Sequence, residues 1–235
     1  MTNKMTPQQV VDIVAAAHAK GEWPDLSCLD LSGLSLTHLN MCGADFTGSN
    51  LAGADLRFSN MSGSQFVRAD LRRARMSGSA LRDANFYGAD LGGATLRYVD
   101  LRGAYLYRAD LRNADLRHAN LYGVDLYDAD LRYAQLTGLL IDGLPSGHLI
   151  FIPTHEGWHL TIGCWEGTTE ELREMIAKDE GWPEARGKEI SMRRPMLEAM
   201  ADACEAYAAA HPDALTEARA AADRWKENIE SAEAV

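Results

Sequence analysis

Apolar residues recur along this chain with a period of five. From Leu26 onward every fifth residue is Leu, Met, Phe or Ile through Ile141, 24 stops without an insertion, with Gly21 at the stop before and Ser146 at the stop after. Two residues ahead of each stop sits a small or apolar residue: Leu29, Leu34 and Leu39 first, then mostly Ala or Ser, with Val99 and Val124 among them. The residue in between is usually Asp or Asn. A period of five fits neither the 3.6 of a helix nor the 2 of a simple strand. It fits a coil with four sides, one pentapeptide to a side and 20 residues to a turn. The large and small apolar residues then point inward and the other three point to solvent. Stacked coils pair through their backbones at about 4.8 Å, so six of them make a column on the order of 29 Å long. Each coil buries its apolar face only against its neighbours.

The segments outside the periodic run show other patterns. Residues 6–19 predict a helix: Thr6 before Pro7 gives the N-cap and first-turn pattern, Val10, Val11, Ile13, Val14 and Ala17 form an apolar side, and Gly21 ends it. An open solenoid exposes core and unpaired strands at its ends, so this helix is expected to cap the first coil. Leu149–Ile152 and Trp158–Ile162 predict a hairpin whose loop contains Gly157. Thr168 and Glu171 have the spacing of a capping box opening a helix to about Lys178. A further helix is expected from Trp182-Pro183 to about Ala210, interrupted or restarted near Pro195, and a last one from Pro212-Asp213 to about residue 230. The reading is three segments: a capping helix over 1–23, the solenoid over 24–146, and a small α+β domain over 147–235.

Charge changes this picture in one respect. The net charge is −11, but residues 24–143 hold 14 Asp against 12 Arg, whereas residues 144–235 hold 18 acids against 9 bases. The acidity belongs to the C-terminal segment, and it disfavours direct contact with nucleic acid. No apolar run approaches the roughly 20 residues a membrane helix needs, and the N-terminus lacks a secretory apolar core, so a cytoplasmic location is expected. Cys28, Cys42, Cys164 and Cys204 lie far apart without metal-finger spacing and read as free thiols.

Stretches such as Ala109-Asp110-Leu111-Arg112-Asn113 and Ala119-Asn120-Leu121-Tyr122-Gly123 match A(D/N)LXX residue for residue, and about half of the chain resembles the pentapeptide-repeat family. The resemblance implies a β solenoid, more narrowly a right-handed quadrilateral β-helix. The C-terminal tail is similar to tails behind repeats in phage and bacterial proteins. The family's best-known activity is binding DNA gyrase or topoisomerase IV by mimicking duplex DNA, which requires an acidic column. Proteins resembling this one often dimerise through the C-terminus, so a homodimer through residues 147–235 is among the expectations.

Positions 20 apart stack on one face, and three ladders stand out. Tyr87, Tyr107 and Tyr127 form one; Arg57, Arg97 and Arg117 form another. A third pairs Asp70, Asp90, Asp110 and Asp130 with Arg72, Arg112 and Arg132. Tyr and Arg are enriched where interface energy concentrates, so Tyr87, Tyr107, Tyr127, Arg97, Arg117, Asp70, Asp90, Asp110 and Asp130 are the candidate partner-binding residues. The same ladders also stabilise stacked strands by lateral contact, and both readings stay open at this point. Because arginines flank the acidic row, the solenoid is a poor duplex mimic over most of its surface.

His155-Glu156-Gly157-Trp158-His159 matches HExxH, but zinc hydrolysis needs that motif on a helix, and here it straddles a predicted hairpin turn. His155, His159 and Cys164 are the weak metal candidates, and His159 beside Cys164 the only nucleophile–base pair in view. The sequence therefore points to a non-enzymatic protein-interaction or scaffold module without a cofactor. A topoisomerase-directed binder is the alternative within that class, and a metal-dependent hydrolase in the C-terminal segment is the alternative outside it.

Overall fold

A computed structural model describes residues 4–144, 147–154, 157–162, 165–178 and 188–233. The chain divides into two compact units, one of Met1–Leu136 with Ala220–Val235 and the other Thr137–Arg219. No helix among the described residues is long and apolar enough to cross a membrane.

The first unit is a β-solenoid. Asp25 pairs with Asp45, Asp30 with Asn50, Ser35 with Asp55 and Asn40 with Asn60, all parallel, and this +20 pairing continues to Asp110 with Asp130. Four pentapeptides therefore complete one coil. Each side of a coil contributes little more than a single bridging residue, so only β1 (Asp115–Leu116) and β2 (Gln135–Leu136) extend to formal strands.

The five backbone N–H groups of a repeat can be followed one by one, as buried polar backbone demands. In the repeat around Leu51, the Leu51 amide donates to Asp70 of the next coil at 2.7 Å and the Gly53 amide to Arg72 at 2.8 Å. The Asn50 amide reaches back to Leu29 at 2.9 Å, and the Ala54 amide closes the turn on Leu51 at 3.0 Å. That leaves the amide of Ala52, which donates to the Asn50 side chain at 3.1 Å. The Asp or Asn of the repeat is thus an acceptor for the one amide that neither coil nor turn satisfies. The corner residue two after each stop, from Cys28 to Tyr133, has φ near +60°, and twelve of these corners are not glycine. Each such corner costs roughly 1–2 kcal/mol, a strain offset by the coil-to-coil ladder around it.

The interior follows the period. Leu26, Met41, Leu51, Met61, Leu71 and Leu111 are fully buried, mostly with Ala or Ser buried two residues ahead of each stop. Phe46, Phe66 and Phe86 stack at 4.7 Å between centroids, the coil spacing itself. Serines two residues before a stop keep their hydroxyls bonded inside the wall: Ser59 donates to the Leu36 carbonyl at 2.8 Å and Ser79 to that of Leu56 at 2.7 Å. One expectation needs correcting. The residue before each stop is not uniformly solvent-facing, because Asn60, Asp100 and Asn120 are buried.

Helix α1 (Pro7–Lys20) starts at Thr6, whose hydroxyl accepts the Gln9 amide while the Gln9 side chain accepts the Thr6 amide, and ends on Gly21 in the left-handed conformation. Val10 and Val14 are its buried positions. Just ahead of it Lys4 pairs with Asp30 of the first coil.

The second unit holds a four-stranded antiparallel sheet in chain order: β3 (Leu139–Leu144), β4 (Gly147–Pro153), β5 (Trp158–Ile162) and β6 (Trp165–Gly167). Helices α2 (Thr169–Lys178) and α3 (Lys188–Ala210) supply Leu172, Met175, Ile176, Leu197, Met200 and Cys204 to a core with Leu149, Phe151, Leu160 and Ile162. Helix α4 spans Ala214–Glu233. The Thr168–Glu171 capping box forms as expected. Two details depart from the sequence reading. Helix α3 runs through Pro195 without interruption, and Ile141, although it keeps the five-residue rhythm, lies in β3 and pairs antiparallel with Leu149. Trp182 and Pro183 lie outside the described residues.

Candidate functional site

The solenoid presents the first two positions after each stop, and the geometry of the three ladders can be read from them. The Tyr87, Tyr107 and Tyr127 rings stack at 5.5 and 5.6 Å, and the Arg108 guanidinium lies 5.0 Å from the Tyr107 ring centre while its Nε reaches Asp128 at 3.2 Å. Tyr127 is exposed, as is the neighbouring Tyr105. In the second ladder Arg57 and Arg117 are each held side-on by the Asp of their own repeat, Asp55 and Asp115. Arg97 follows Thr95 instead, and its Nε stands 3.8 Å from Asp115. Beside it Tyr98 stacks on His118 at 4.7 Å, with the Arg224 guanidinium 4.7 Å from the Tyr98 ring centre.

The acidic ladder is not a bare row of carboxylates. Arg72 donates from Nε to Asp70 Oδ1 at 2.8 Å and from Nη2 to Oδ2 at 2.5 Å. Arg112 grips Asp110, and Arg132 grips Asp130, in the same bidentate manner. Hydrogen bonds from these arginines hold the carboxyls of Asp70 and Asp110 below the usual carboxylate range and bring Asp130 down to about 2, against a smaller opposing effect of burial. Asp90 is the exception, because glycine occupies position 92. Its Oδ1 accepts the Gly92 amide at 3.0 Å, and the Arg72 Nε stands 3.7 Å from its Oδ2. Around it a groove of about 970 Å³ opens where Ala52, Gly53, Gly92 and Gly93 are small, with Arg72, Arg73 and Arg112 beside it.

A family model described as pentapeptide repeats matches the chain in 8 copies, over residues 25–63, 49–86, 64–103, 84–121 and 104–139. The chain is a pentapeptide-repeat protein. Its repeats are 29% identical to HetL, a pentapeptide-repeat protein involved in heterocyst differentiation regulation in the cyanobacterium Nostoc, over 50% of this chain and 63% of that one, with a TM-score of 0.44. A pentapeptide-repeat protein of the Arabidopsis thaliana thylakoid lumen is 44% identical over 35% of this chain and 57% of its own, with a TM-score of 0.34. QnrB1, a plasmid-mediated fluoroquinolone resistance protein, is 23% identical over 48% and 59%, with a TM-score of 0.42. The chain spans less than two thirds of the length of each of these. No curated protein matches it.

Outside the repeats, His155, Glu156 and Cys164 lie outside the described residues. His159 is buried on strand β5, with Nε2 3.6 Å from a Glu166 oxygen. Its backbone is extended and not helical, the wrong setting for the zinc motif. Among the described residues no group of three His, Cys, Asp or Glu side chains could hold a metal ion. The Cys204 thiol, buried in the core, is pushed up to about 12 by desolvation, which suits a structural thiol and not a nucleophile. Sequence reasoning missed two features of the repeats: the groove at Gly92 and the pairing of the buried Asp100 with Arg102. The first leaves a trace, since stepping by 20 from Arg72 meets Gly92 before Arg112 and Arg132.

Proposed function

We propose that this pentapeptide-repeat protein is a non-enzymatic protein-interaction module, with the Asp70–Asp130 face as its main contact surface and the Tyr87–Tyr127 ladder as a second. The observation that carries the reading is the groove at Asp90. It interrupts an otherwise self-paired row and leaves a carboxylate and three arginines around an open space on a backbone braced by coil-to-coil hydrogen bonds. Such a surface needs little ordering on binding, which favours affinity. Right-handed winding, capping of the first coil by α1 and a C-terminal α+β domain over 147–235 belong to the same proposal. A DNA-mimicking binder of gyrase or topoisomerase IV would want unpaired acids, and three of the four carboxylates are already matched by guanidinium groups.

The test is affinity capture with full-length baits. Partners held by the unaltered chain should be lost from Asp90→Lys/Asp110→Lys and kept by a bait altered at Tyr122, an exposed residue two pentapeptides away from that row and off the tyrosine ladder. Retention by the charge-reversed bait would move the contact surface to the tyrosine ladder or to the C-terminal segment.

A further inference from the structure

We infer that the groove at Gly92 receives one guanidinium-bearing side chain of a protein partner, which takes the empty rung and pairs with Asp90. This rests on the interaction-module reading above and names what the surface recognises. The argument is internal to the ladder. Asp70, Asp110 and Asp130 each receive a bidentate guanidinium from the residue two further on. Asp90 is oriented in the same way, since the Gly92 amide holds its Oδ1 as the amides of Arg72, Arg112 and Arg132 hold theirs. What is missing is the side chain at 92. The Asp90 side chain is accordingly 41% exposed, against 29%, 25% and 30% for the other three.

The space fits the same group. A Cβ built at Gly92 comes to 3.0 Å from the Asp90 carboxylate, which must give by a few tenths of an ångström, with a backbone oxygen of Arg112 and the Arg72 stem both at 3.9 Å. Flanking arginines do not forbid a guest cation, because Arg112 and Arg132 already occupy successive rungs with Asp110 and Asp130 between them, Arg112 Nε lying 3.6 Å from Asp130. A guest between Arg72 and Arg112 would repeat that alternation. The planar fork of a guanidinium matches a carboxylate side-on where an ammonium offers a point charge, so arginine is preferred to lysine. Arg73 lines the same groove, its stem 3.7 Å from the Cβ position of Gly93, and has no ion pair among the described residues. It supplies a counter-group for an acidic residue next to the guest arginine. The partner segment is therefore one that presents Arg beside Asp or Glu.

The test uses the full chain labelled with nitrogen-15 and N-acetyl-arginine N-methylamide as the probe, with the lysine analogue and inorganic phosphate in parallel. The backbone amide of position 92, bonded to Asp90 in the unaltered chain, is the reporter in every variant. The arginine probe should shift it saturably and more tightly than the lysine probe, phosphate should leave it in place, and the shift should vanish in Asp90→Asn and in Gly92→Arg. The second variant fills the rung from within, as positions 72, 112 and 132 already do, and should melt no lower than the unaltered chain. A saturable shift that survives Asp90→Asn, equal binding of lysine, a response to phosphate, or no response to the arginine probe would each overturn the inference. Failure of the probe alongside loss of captured partners in the charge-reversed bait would leave the interaction module standing. Probe binding without any effect of charge reversal on capture would do the opposite.

Discussion

Two Asp-Leu-Arg triplets in this solenoid share sequence and bonding but not surroundings, and replacing their aspartates separates geometry from burial. In Asp70-Leu71-Arg72 and in Asp100-Leu101-Arg102 the arginine grips the carboxylate side-on, at 2.8 and 2.5 Å in the first and 2.7 and 2.6 Å in the second. The Asp70 and Arg72 side chains are 29% and 60% exposed, those of Asp100 and Arg102 0% and 26%. Asp70→Ala gives up a surface pair and one turn acceptor, a loss of about 1 kcal/mol. Asp100→Ala removes the fully buried carboxylate that Arg102 grips, a loss that for a fully enclosed pair costs about 3–5 kcal/mol. With Arg102 about a quarter exposed, the lower end applies, about 3 kcal/mol. The difference of about 2 kcal/mol corresponds to roughly 4–8 °C in melting temperature for a unit of about 150 residues. Differential scanning calorimetry of the two variants beside the unaltered chain, with urea unfolding followed by circular dichroism, measures it. Equal penalties, within about 0.5 kcal/mol, would show that bond geometry and not burial sets the energy, and would refute the reasoning.

Leu111 is fully buried on the solenoid axis, so Leu111→Asp places a carboxylate where no partner waits, costing several kcal/mol beyond the lost packing. Loss of the cooperative circular-dichroism transition is expected, and an unaltered melting curve would contradict the inward placement of the central residue. Acid should weaken the solenoid over a defined window. The carboxyls of Asp55, Asp70, Asp110, Asp115 and Asp130 titrate lower in the folded chain, Asp130 at about 2, so their stabilisation is complete above the unfolded value of about 4 and is lost as pH falls toward 2. Asp130→Asn should flatten the decline in urea midpoint across that range; an identical slope would mean that other groups carry it. Charge reversal at Asp90 and Asp110 should abolish partner capture, as set out above.

Much of the architecture was legible because one rule repeats. A stop every five residues, a small residue two before it and an Asp or Asn between them demand a wall with a fixed inward position, and the pairing of Asp25 with Asp45 and onward follows. The C-terminal hairpin was equally plain, with Leu149 opposite Ile162 and Ile152 opposite His159. Strand β6 was missed because Trp165–Gly167 is three residues long beside glycine, too short to carry an alternation. Helix α3 continues across Pro195 although local preference argues for a break. At the candidate site the ladders could be counted from the sequence, but their state of charge could not. Whether Arg72 turns toward Asp70 or toward solvent is a rotamer choice, and whether Asp100 is buried depends on what packs over that face. The groove lay in the negative of the pattern, at a glycine where three arginines set the expectation.

The +20 pairing also governs how such a surface changes by insertion and deletion. Adding five residues keeps every core leucine in register with the interior, yet carries each downstream row to the adjoining side, so that a tyrosine column would continue as one of arginine or aspartate. Adding twenty lengthens the column and leaves every row intact. The inward pattern survives either change and the display does not: the core keeps its period in steps of one side, while each surface row survives only in steps of a full turn.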